Sequence, residues 1–433
     1  MKSALPKVLH RLAGRTMLAH VLGSAREAGL GKLAIVVAPD MDSVAQEAAR
    51  QVPGIDVFVQ EDQLGTAHAV LSARPVLEGF KGSLLVLYGD TPLLRAETLS
   101  RMKEELAAGA DIAVLGFEAA DPSGYGRLIL DETGTLVAIR EDKDASPEEK
   151  RIRFCNSGVF GFRGGIALGI LEKIGNDNAK GEYYLTDAVE IARRQGLKAV
   201  AVTCPEEEVL GVNSRVQQAE AEAVVQQRLR LKAMEGATLI APETVFFSPD
   251  TRLGRDVVIE PNVIFGSGVV VEDGATIRAF CYLEEAHVGK GATVGPYARL
   301  RPGTRIGEGA RVGNFVEVKN ATLGAGAKVN HLSYVGDASV GKEANIGAGT
   351  ITCNYDGFAK HRTEIGANAF IGSNAALVAP VKIGDGAYVG SGSVISRNVP
   401  ANALALTRGP FDLRENWAAR MRERRSRSSR NKA

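Results

Sequence analysis

A histidine in the second half of the chain has the chemistry of a general base. His331 lies in the segment Asn-His-Leu-Ser-Tyr at 330–334, downstream of the carboxylate of Glu317, in a chain with six histidines. Transfer of an acyl group to an amine needs a base that takes the ammonium proton, and a neutral imidazole suits that task at pH 7. Glu317 can orient the ring. A plain surface histidine in a β-turn is the alternative that this motif leaves open.

Basic residues in the same part of the chain can hold an anion. The segment YARLRPG at 297–303 puts Arg299 and Arg301 beside an expected strand, and Lys319 and Asn320 follow Glu317. Arginine is suited to bidentate phosphate binding. The pattern therefore favours a phosphorylated ligand.

A second group of candidates lies in the first half of the chain, after apolar runs. Asp90 follows LLVLYG, and a carboxylate there can hold Mg²⁺ against phosphates. Gly65 and Thr66 precede a predicted helix, whose first N–H groups can bind a base edge or a phosphate. Lys7 supplies a cation near the start. Each residue also has an ordinary alternative role, as a turn residue, a helix cap or a solvated lysine.

The elements that position this second group have the rhythm of an α/β domain. Over 1–212, β-rich apolar runs at 33–38, 57–60, 84–88 and 112–117 alternate with helical stretches. This alternation predicts βαβ units and a mostly parallel, Rossmann-like sheet, with ligands beyond the carboxyl ends of its strands. The continuous hydrophobicity of the runs predicts strands covered on both faces, and the segment GRLILDETGTLVAIRED predicts a hairpin.

The elements that position His331 and the basic residues near it have a period of six residues. The aliphatic residues of two unbroken runs are Val288, Val294, Leu300, Ile306, Val312 and Val318, and then Ile365, Ile371, Leu377, Ile383, Val389 and Ile395. Six fits neither a helix nor an ordinary strand alone, so it predicts a solenoid of short strands over 236–409. The repeat is interrupted between Thr352 and Ile365, and loops inserted into solenoids often carry function.

Two further segments complete the organisation of the chain. Residues 213–235 contain no Pro or Gly and are rich in strong helix formers, which predicts a linking helix that Ser214 caps. Residues 410–433 form a basic tail, which we interpret as a solvated, disordered end; contact with RNA or a membrane is the alternative.

Composition restricts the class of protein. A net charge of +1 with 24% charged residues argues against a nucleic-acid-binding protein, and no apolar run approaches the length of a membrane span. Cys155, Cys204, Cys281 and Cys353 lack metal or redox spacing, so we expect reduced thiols in a cytoplasmic protein.

Seven motifs in order along the chain resemble those of a known family. They are LPKVLHRLAGRTML, QEDQLGTAHAV, LYGDTPLL, SGYGRL, NSGVF, NAKGEYYLTDAV and GVNSR. With a hexapeptide-repeat domain behind them, they resemble the bifunctional N-acetylglucosamine-1-phosphate uridyltransferases/glucosamine-1-phosphate N-acetyltransferases of bacteria. The resemblance implies a uridyltransferase domain at 1–212 and a left-handed parallel β-helix acetyltransferase domain at 236–409. It also implies UTP and acetyl-CoA as substrates, Mg²⁺ as cofactor, a homotrimer formed through the β-helix, and a product that feeds peptidoglycan and lipopolysaccharide precursors.

The resemblance also implies roles for individual residues. His331 and Glu317 resemble the catalytic pair of acetyl transfer. The nucleotide-sugar contacts implied are Lys7, Gln60, Gly65, Thr66, Tyr88, Gly89, Asp90, Gly126, Glu141, Asn156 and Asn213, with Asp90 and Asn213 as the Mg²⁺ ligands. The glucosamine-phosphate contacts implied are Arg301, Lys319, Tyr334 and Asn345. The acetyl-CoA contacts implied are Ala348, Asn354, Tyr355, Ser373, Ser391 and Arg408.

The sequence departs from the family at its start, where the family has a β-strand and a G-x-G-T-R loop before the segment that contains Lys7. We expect codons upstream of Met1 to encode that strand and loop. Three alternatives remain at this point. They are another sugar nucleotidyltransferase with a hexapeptide scaffold, an acetyltransferase alone, and a non-enzymatic interaction subunit.

Overall fold

The computed structural model describes residues 1–178, 180–407, 409 and 411–430, without the side chains of 425–430. The chain separates into two compact units. The first contains Met1–Lys232 with Phe247–Pro249, and the second contains Ala233–Phe246 with Asp250–Ala433. The finer division expected from the sequence, at 212, 235 and 409, stays a prediction.

The first unit alternates strands and helices, as the apolar runs predict. Its strands are β1 (Arg11–Leu12), β2 (Arg15–Thr16), β3 (Ala34–Val37), β4 (Asp56–Val59), β5 (Ser83–Val86), β6 (Ile112–Glu118), β7 (Arg127–Leu130), β8 (Leu136–Arg140), β9 (Phe154–Arg163) and β10 (Ala199–Cys204). Its helices are α1 (Met17–Glu27), α2 (Asp42–Gln51), α3 (Thr66–Ser72), α4 (Arg74–Leu77), α5 (Ala96–Ala107), α6 (Ala167–Leu171), α7 (Ala188–Arg194) and α8 (Arg215–Ala233). The α8 helix is the expected long helix at 214–235.

The main sheet of this unit is mixed, whereas the sequence predicts a mostly parallel one. Its strand order is β10-β6-β9-β7-β8, and β5 also pairs with β9. The β10–β6 pair is parallel, but β9 runs antiparallel to β5, β6 and β7, and β7–β8 is the predicted hairpin. Strand β9 is antiparallel because it enters the sheet after that hairpin and not after a crossover helix.

Apolar clusters cover both faces of the main sheet. One includes residues of α3, α6 and α7, and the other includes residues of α5. Strands β3 and β4 form a separate parallel pair. Among the residues that the structure describes, β3 makes no pairing with β5, and a cavity of about 570 Å³ lined by α1, β3 and β5 lies there. The strand expected upstream of Met1 stays a prediction.

The second unit is a β-helix with three parallel sheets, which we call its first, second and third faces in chain order from Ala237. The first face contains Ala237–Leu239, Val257–Ile259, Thr276–Ile277, Thr293–Val294, Arg311–Asn314, Lys328–His331, Asn345–Ile346, Phe370–Ile371, Tyr388–Val389 and Leu404–Ala405. The second contains Ile264–Phe265, Tyr282–Leu283, Arg299–Leu300, Glu317–Lys319, Tyr334–Gly336, Ile351–Cys353, Ala376–Val378 and Val394–Ile395. The third contains Arg252–Leu253, Val270–Val271, Ala286–Val288, Thr304–Ile306, Thr322–Leu323, Ala338–Val340, Thr363–Ile365 and Val381–Ile383.

The six-residue period produces these faces because each hexapeptide supplies one short strand and one corner. The recurring aliphatic residues point inward; Val294, Leu300 and Leu377, for example, are fully buried. Glycine follows many of them because neighbouring coils are in close contact. A Cβ on Gly307 would lie 2.7 Å from the carbonyl oxygen of Leu323.

The interruption in the repeat is an inserted loop after the strand Ile351–Cys353, and the β-helix resumes at Thr363. Most of the loop is exposed, but Asn354 at its base is buried. Beyond the β-helix, Trp417–Arg430 form helix α9, so this part of the basic tail is helical, whereas its composition predicts a disordered end. Of the helices within the described residues, none is long and apolar enough to cross a membrane.

Candidate functional site

Three polar residues that are distant in sequence meet at the end of strand β5. The Lys7 ammonium donates to Oδ2 of Asp90 at 2.6 Å and to Oδ1 of Asn213 at 2.8 Å. Lys7 follows Pro6 in a short 3-10 turn, Asp90 comes after β5, and Asn213 precedes α8. The N–H of Val212 donates to the carbonyl of Asp90 at 2.9 Å and so fixes Asn213 beside it. The structure thus brings together three residues that the sequence predicts as one site.

The oxygen atoms of Asp90 and Asn213 suit a hard cation. Mg²⁺ takes oxygen ligands and usually binds to proteins through one or two carboxylates together with substrate phosphates and water. In the structure these two oxygens already bind a cation, the Lys7 ammonium. Among the described residues there is no cluster of three or more His, Cys, Asp or Glu that could hold a metal ion alone. The donor set therefore fits Mg²⁺ that is shared with phosphate.

The loop between β4 and α3 is packed tightly against the segment 183–185. Gln60 donates from Nε2 to the carbonyl of Gly65 at 3.1 Å, and the N–H of Leu185 donates to Oγ1 of Thr66 at 3.0 Å. Gly65 has φ +116°, and a Cβ there would lie 2.7 Å from backbone atoms of Tyr183. Gly65, not Thr66, is the N-cap of α3. These contacts hold the loop against the segment 183–185.

The remaining candidates of the first unit surround the edge between β5, β7 and β9. Burial raises the pKa of Tyr88, which also hydrogen-bonds to Thr66. The N–H of Asn156 donates to the carbonyl of Gly126 at 2.7 Å, and the hydroxyl of Thr186 donates to Oε1 of Glu141 at 3.3 Å. Thr186 was not among the predicted site residues, although it lies within the motif NAKGEYYLTDAV.

Gly89 lies close to the start of the chain. A Cβ on Gly89 would lie 3.1 Å from a methyl group of Val8, the neighbour of Lys7. A side chain at position 89 would therefore press on the turn that holds Lys7. This contact explains a glycine immediately before Asp90.

In the second unit, successive coils bring together the charged candidates of the second face. Arg299, Glu317 and Tyr334 pair in register on adjacent strands. The guanidinium of Arg301 donates to Oε1 of Glu317 at 2.8 Å. Lys319 ends the strand that contains Glu317. Arg301, Glu317, Lys319 and Tyr334 therefore share this face.

His331 has a different partner from the one expected. Its Nδ1 lies 2.6 Å from Oδ1 of Asn314, whereas Glu317 pairs with Arg301. Asn314 and His331 are register partners on the first face, but Glu317 lies on the second face opposite Tyr334. Because the amide oxygen can only accept, this contact in a neutral imidazole requires the proton on Nδ1 and leaves the lone pair on Nε2. Asn314, and not Glu317, therefore orients the imidazole.

His331 heads a column of small side chains, of which Ser373 and Ser391 are exposed. The register Val329–Ile346–Ile371–Val389 puts His331, Ala348, Ser373 and Ser391 at the same point of successive coils. Backbone bonds confirm this order: Asn374 donates to the carbonyl of Ala348 at 2.7 Å, and Gly392 donates to that of Ser373 at 2.8 Å. Three predicted acetyl-CoA contacts thus form a shallow track that leads to the candidate base.

The inserted loop begins beside the second face. Asn354 donates from Nδ2 to Oδ2 of Asp337 and, at 3.4 Å, to the hydroxyl of Tyr334. Asn320 donates to Oδ1 of the same aspartate at 2.6 Å. Tyr355 is 61% exposed. Asp337 therefore connects the loop to the coil below, a role that its spacing in the sequence did not reveal.

Lys360 is a further residue that the predicted set lacks. The neighbouring Lys319 lowers the pKa of Lys360. Two ammonium groups in contact repel each other, so this pair suits an anion between them. The sequence feature that points to Lys360 is the interruption of the hexapeptide repeat, because it identifies the loop that contains this residue.

Two of the predicted substrate contacts belong neither to the charged residues of the second face nor to the column that begins at His331. Asn345 lies on the first face, in register with Lys328 and Phe370, on the same sheet as His331. Arg408 lies outside the described residues.

Comparison with known proteins finds both units in established families. Residues 1–148 match the family model described as a MobA-like NTP transferase domain. Residues 250–284, 285–320 and 362–397 match the model described as the bacterial transferase hexapeptide (six repeats).

Similarity to curated proteins extends over nearly the whole chain. Bifunctional protein GlmU of Azorhizobium caulinodans is 64% identical over 423 residues, which cover 98% of this chain and 94% of that protein. The proteins of the same name from Xanthobacter autotrophicus and Agrobacterium fabrum are 62% and 52% identical, over 98% of this chain and 95% and 94% of theirs. The chain belongs to the bifunctional GlmU family.

Membership of the GlmU family confirms the expected fold class and function. The chain is a bifunctional transferase with a nucleotidyltransferase domain followed by a hexapeptide β-helix, and its acetyl and uridyl transfers make UDP-N-acetylglucosamine. The two alternatives of a different sugar nucleotidyltransferase with a hexapeptide scaffold and of a non-enzymatic subunit are therefore wrong.

Proposed function

We propose that each unit carries one of the two reactions. The β-helix acetylates glucosamine 1-phosphate with acetyl-CoA, and the first unit then couples the product, N-acetylglucosamine 1-phosphate, to UTP with release of pyrophosphate. Two separate clusters of polar residues support this division, one around Lys7 and Asp90 and the other around His331 and Arg301.

In acetyl transfer, His331 is the base. Its Nε2 takes a proton from the ammonium of the sugar, and the amine then attacks the thioester carbonyl. The new C–N bond forms as the C–S bond breaks, the nitrogen loses its second proton to become the amide, and the departing thiolate of coenzyme A takes up a proton. The hydrogen bond of Nδ1 to Asn314 supports this role because it leaves Nε2 free to accept. Glu317 acts on Arg301 in this arrangement.

The substrates of acetyl transfer bind to opposite sides of His331. Arg301, Lys319, Tyr334 and Lys360 bind the phosphate and sugar of glucosamine 1-phosphate, and Asn345 contacts the sugar from the first face. Acetyl-CoA follows the track of small residues beyond His331; its contacts are Ala348, Asn354, Tyr355, Ser373, Ser391 and Arg408. Supporting this, a track of small side chains leaves room for an extended thiol chain beside the backbone.

In uridyl transfer, the first unit holds two anions in line. A phosphate oxygen of the sugar attacks the α-phosphorus of UTP, and the bond to pyrophosphate breaks. Lys7 neutralises charge on the phosphates. Asp90 and Asn213 would hold Mg²⁺, which would supply further neutralisation of phosphate charge. Gln60, Gly65 and Thr66 bind the uracil, while Tyr88, Gly89, Gly126, Glu141 and Asn156 contact ribose and sugar.

We further propose that the enzyme is a cytoplasmic homotrimer that assembles through its β-helix. The four cysteines are free, as in proteins of a reducing compartment. Exposed Phe280, Tyr297 and Phe315 stack along one corner of the β-helix, with ring centroids 4.8 and 5.2 Å apart. A contiguous apolar patch of this kind is typical of a protein interface. Light scattering of the purified protein measures the oligomeric state, and a monomer would refute the trimer.

A crossed pair of substitutions tests the two-site proposal. His331→Ala should lower acetyl transfer about 10²- to 10⁴-fold, the range for loss of a positioned base, with uridyl transfer unchanged. Asp90→Ala should abolish Mg²⁺-dependent uridyl transfer with acetyl transfer unchanged. Each reaction is assayed separately on the same protein. If either variant lost both reactions equally while remaining folded, the proposal would be wrong.

A further inference from the structure

The guanidinium of Arg127, at the start of strand β7, is almost completely buried in the first unit. The residue is 1% exposed. Burial of a charged side chain costs free energy unless hydrogen bonds and an opposite charge compensate it. Its Nε has no hydrogen-bond partner among the described residues, so its two terminal nitrogens make the compensating contacts.

Those two nitrogens bind two different loops. One donates to the carbonyl of Tyr125, at the end of the segment between β6 and β7. The other donates to Oδ1 of Asp142 at 2.9 Å, just beyond the end of β8. The ring of Tyr125 also packs edge-on against Phe117, with centroids 5.0 Å apart. Arg127 therefore ties the chain before β7 to the chain after β8.

Each tied residue is the direct neighbour of a proposed sugar contact. Gly126 follows Tyr125, and Glu141 precedes Asp142. A Cβ built on Gly126 would lie 3.5 Å from Oε1 of Glu141 and 3.7 Å from Cβ of Asn156. The backbone of Gly126 and the carboxylate of Glu141 are thus close together, and the Arg127 guanidinium holds the two segments that carry them.

We infer that Arg127 is a positioning residue for uridyl transfer, and that it sets the separation of Gly126 and Glu141 and so shapes the site for the sugar of N-acetylglucosamine 1-phosphate. The inference rests on the proposed sugar contacts of Gly126 and Glu141. Arg127 itself is buried behind them and does not touch the substrate. Loss of its two bonds lets the loops separate, which weakens sugar binding more than uracil binding.

Steady-state kinetics of the full chain test this role. Arg127→Met should raise the KM for N-acetylglucosamine 1-phosphate about tenfold, the scale of losing a charged hydrogen bond. Arg127→Lys and Asp142→Asn should cause smaller rises in the same KM. The KM for UTP should change less than about twofold in all three, and acetyl transfer should be unchanged.

Arg163 provides a matched control because it also forms an ion pair on the main sheet. Its Nε donates to Oδ1 of Asp111 at 2.8 Å, at the other end of β9 from Asn156. Arg163→Met should lower thermal stability without a selective rise in the KM for the sugar phosphate. If Arg127→Met raised both KM values equally, or only lowered the melting temperature as Arg163→Met does, the inference would be overturned.

Two further results separate this inference from the proposed site. Glu141→Gln should raise the KM for the sugar phosphate; if it does not, the proposed sugar site and the inference fail together. If Glu141→Gln raises that KM while the Arg127 and Asp142 variants do not, only the inference fails. If Arg127→Met does not fold, Arg127→Lys and Asp142→Asn decide the result.

Discussion

Nδ1 of His331 lies 2.6 Å from Oδ1 of Asn314, across one coil of the β-helix. The two residues are 17 positions apart and occupy the same register position on adjacent strands of the first face. This bond fixes both the orientation of the ring and its tautomer, since an amide oxygen only accepts. The free Nε2 is therefore directed away from the β-helix strand that carries Asn314.

Substitutions of Asn314 should distinguish the effect of the orientation of the His331 ring from the effect of its basicity. Asn314→Ala should lower kcat of acetyl transfer about threefold to tenfold, because a neutral hydrogen bond contributes about 0.5–1.5 kcal/mol. Asn314→Asp keeps an acceptor and should preserve most of the activity, while its charge moves the acidic limb of the pH–rate profile to higher pH. Stopped assays over a pH series measure both effects, with uridyl transfer as the internal control. Equal activity of Asn314→Ala and the unsubstituted enzyme would exclude Asn314 as the orienting group.

The track of small residues should be sensitive to side-chain size. Ser373→Leu should raise the KM for acetyl-CoA about tenfold or more, corresponding to about 1.4 kcal/mol, because the larger side chain projects into the track. The KM for glucosamine 1-phosphate should change little. Ser339→Leu is the matched control, since Ser339 lies in a strand of the third face, away from the track. The same rise in both variants would mean that acetyl-CoA does not follow this track.

The lysine pair of Lys319 and Lys360 should bind the phosphate of glucosamine 1-phosphate. Lys360→Ala should raise the KM for this substrate by at least about tenfold, because a charged hydrogen bond contributes about 1.5–3 kcal/mol. Lys360→Arg should retain most of the affinity. Lys382→Ala removes another exposed lysine, paired with Glu364 on the third face, and should have no effect. If Lys382→Ala and Lys360→Ala raised the KM alike, general electrostatic attraction and not a specific site would explain the result.

Gly65 should be essential for the nucleotide site. Gly65→Ala combines a left-handed φ of +116° with a Cβ that would lie 2.7 Å from the Tyr183 backbone. We expect it to destabilise the first unit by about 1–3 kcal/mol and to raise the KM for UTP. Gly79→Ala has the same kind of strain, at φ +70°, but no atom within 4 Å of its Cβ. A calorimetric scan and uridyl-transfer kinetics compare the two. An unchanged KM for UTP in a folded Gly65→Ala protein would contradict the proposed uracil contact.

The regular parts of this protein were predictable because they depend on local patterns. A six-residue period of aliphatic residues is typical of a coil of short strands whose aliphatic side chains point inward. The sequence alone therefore predicts that Val294 and Leu377 are buried. Alternating apolar and helical runs similarly predict the α/β unit, and two strand-like runs around a turn at 126–142 predict its hairpin. The order of the motifs predicts the family, since each motif is a local string of residues.

Tertiary structure decided which side chains meet. The direction of β9, the pairing of His331 with Asn314, the position of Glu317 beside Arg301 and the contact between Lys319 and Lys360 depend on strand register and on the path of an inserted loop. Which residues of adjacent coils become neighbours depends on the number of residues in each corner, and that number varies along the chain. The burial of Arg127 is of the same kind, because its partners come from two loops that pack together only in the folded sheet. Local sequence fixes each strand and its inward face, whereas contacts between strands are set by the packing of the whole unit.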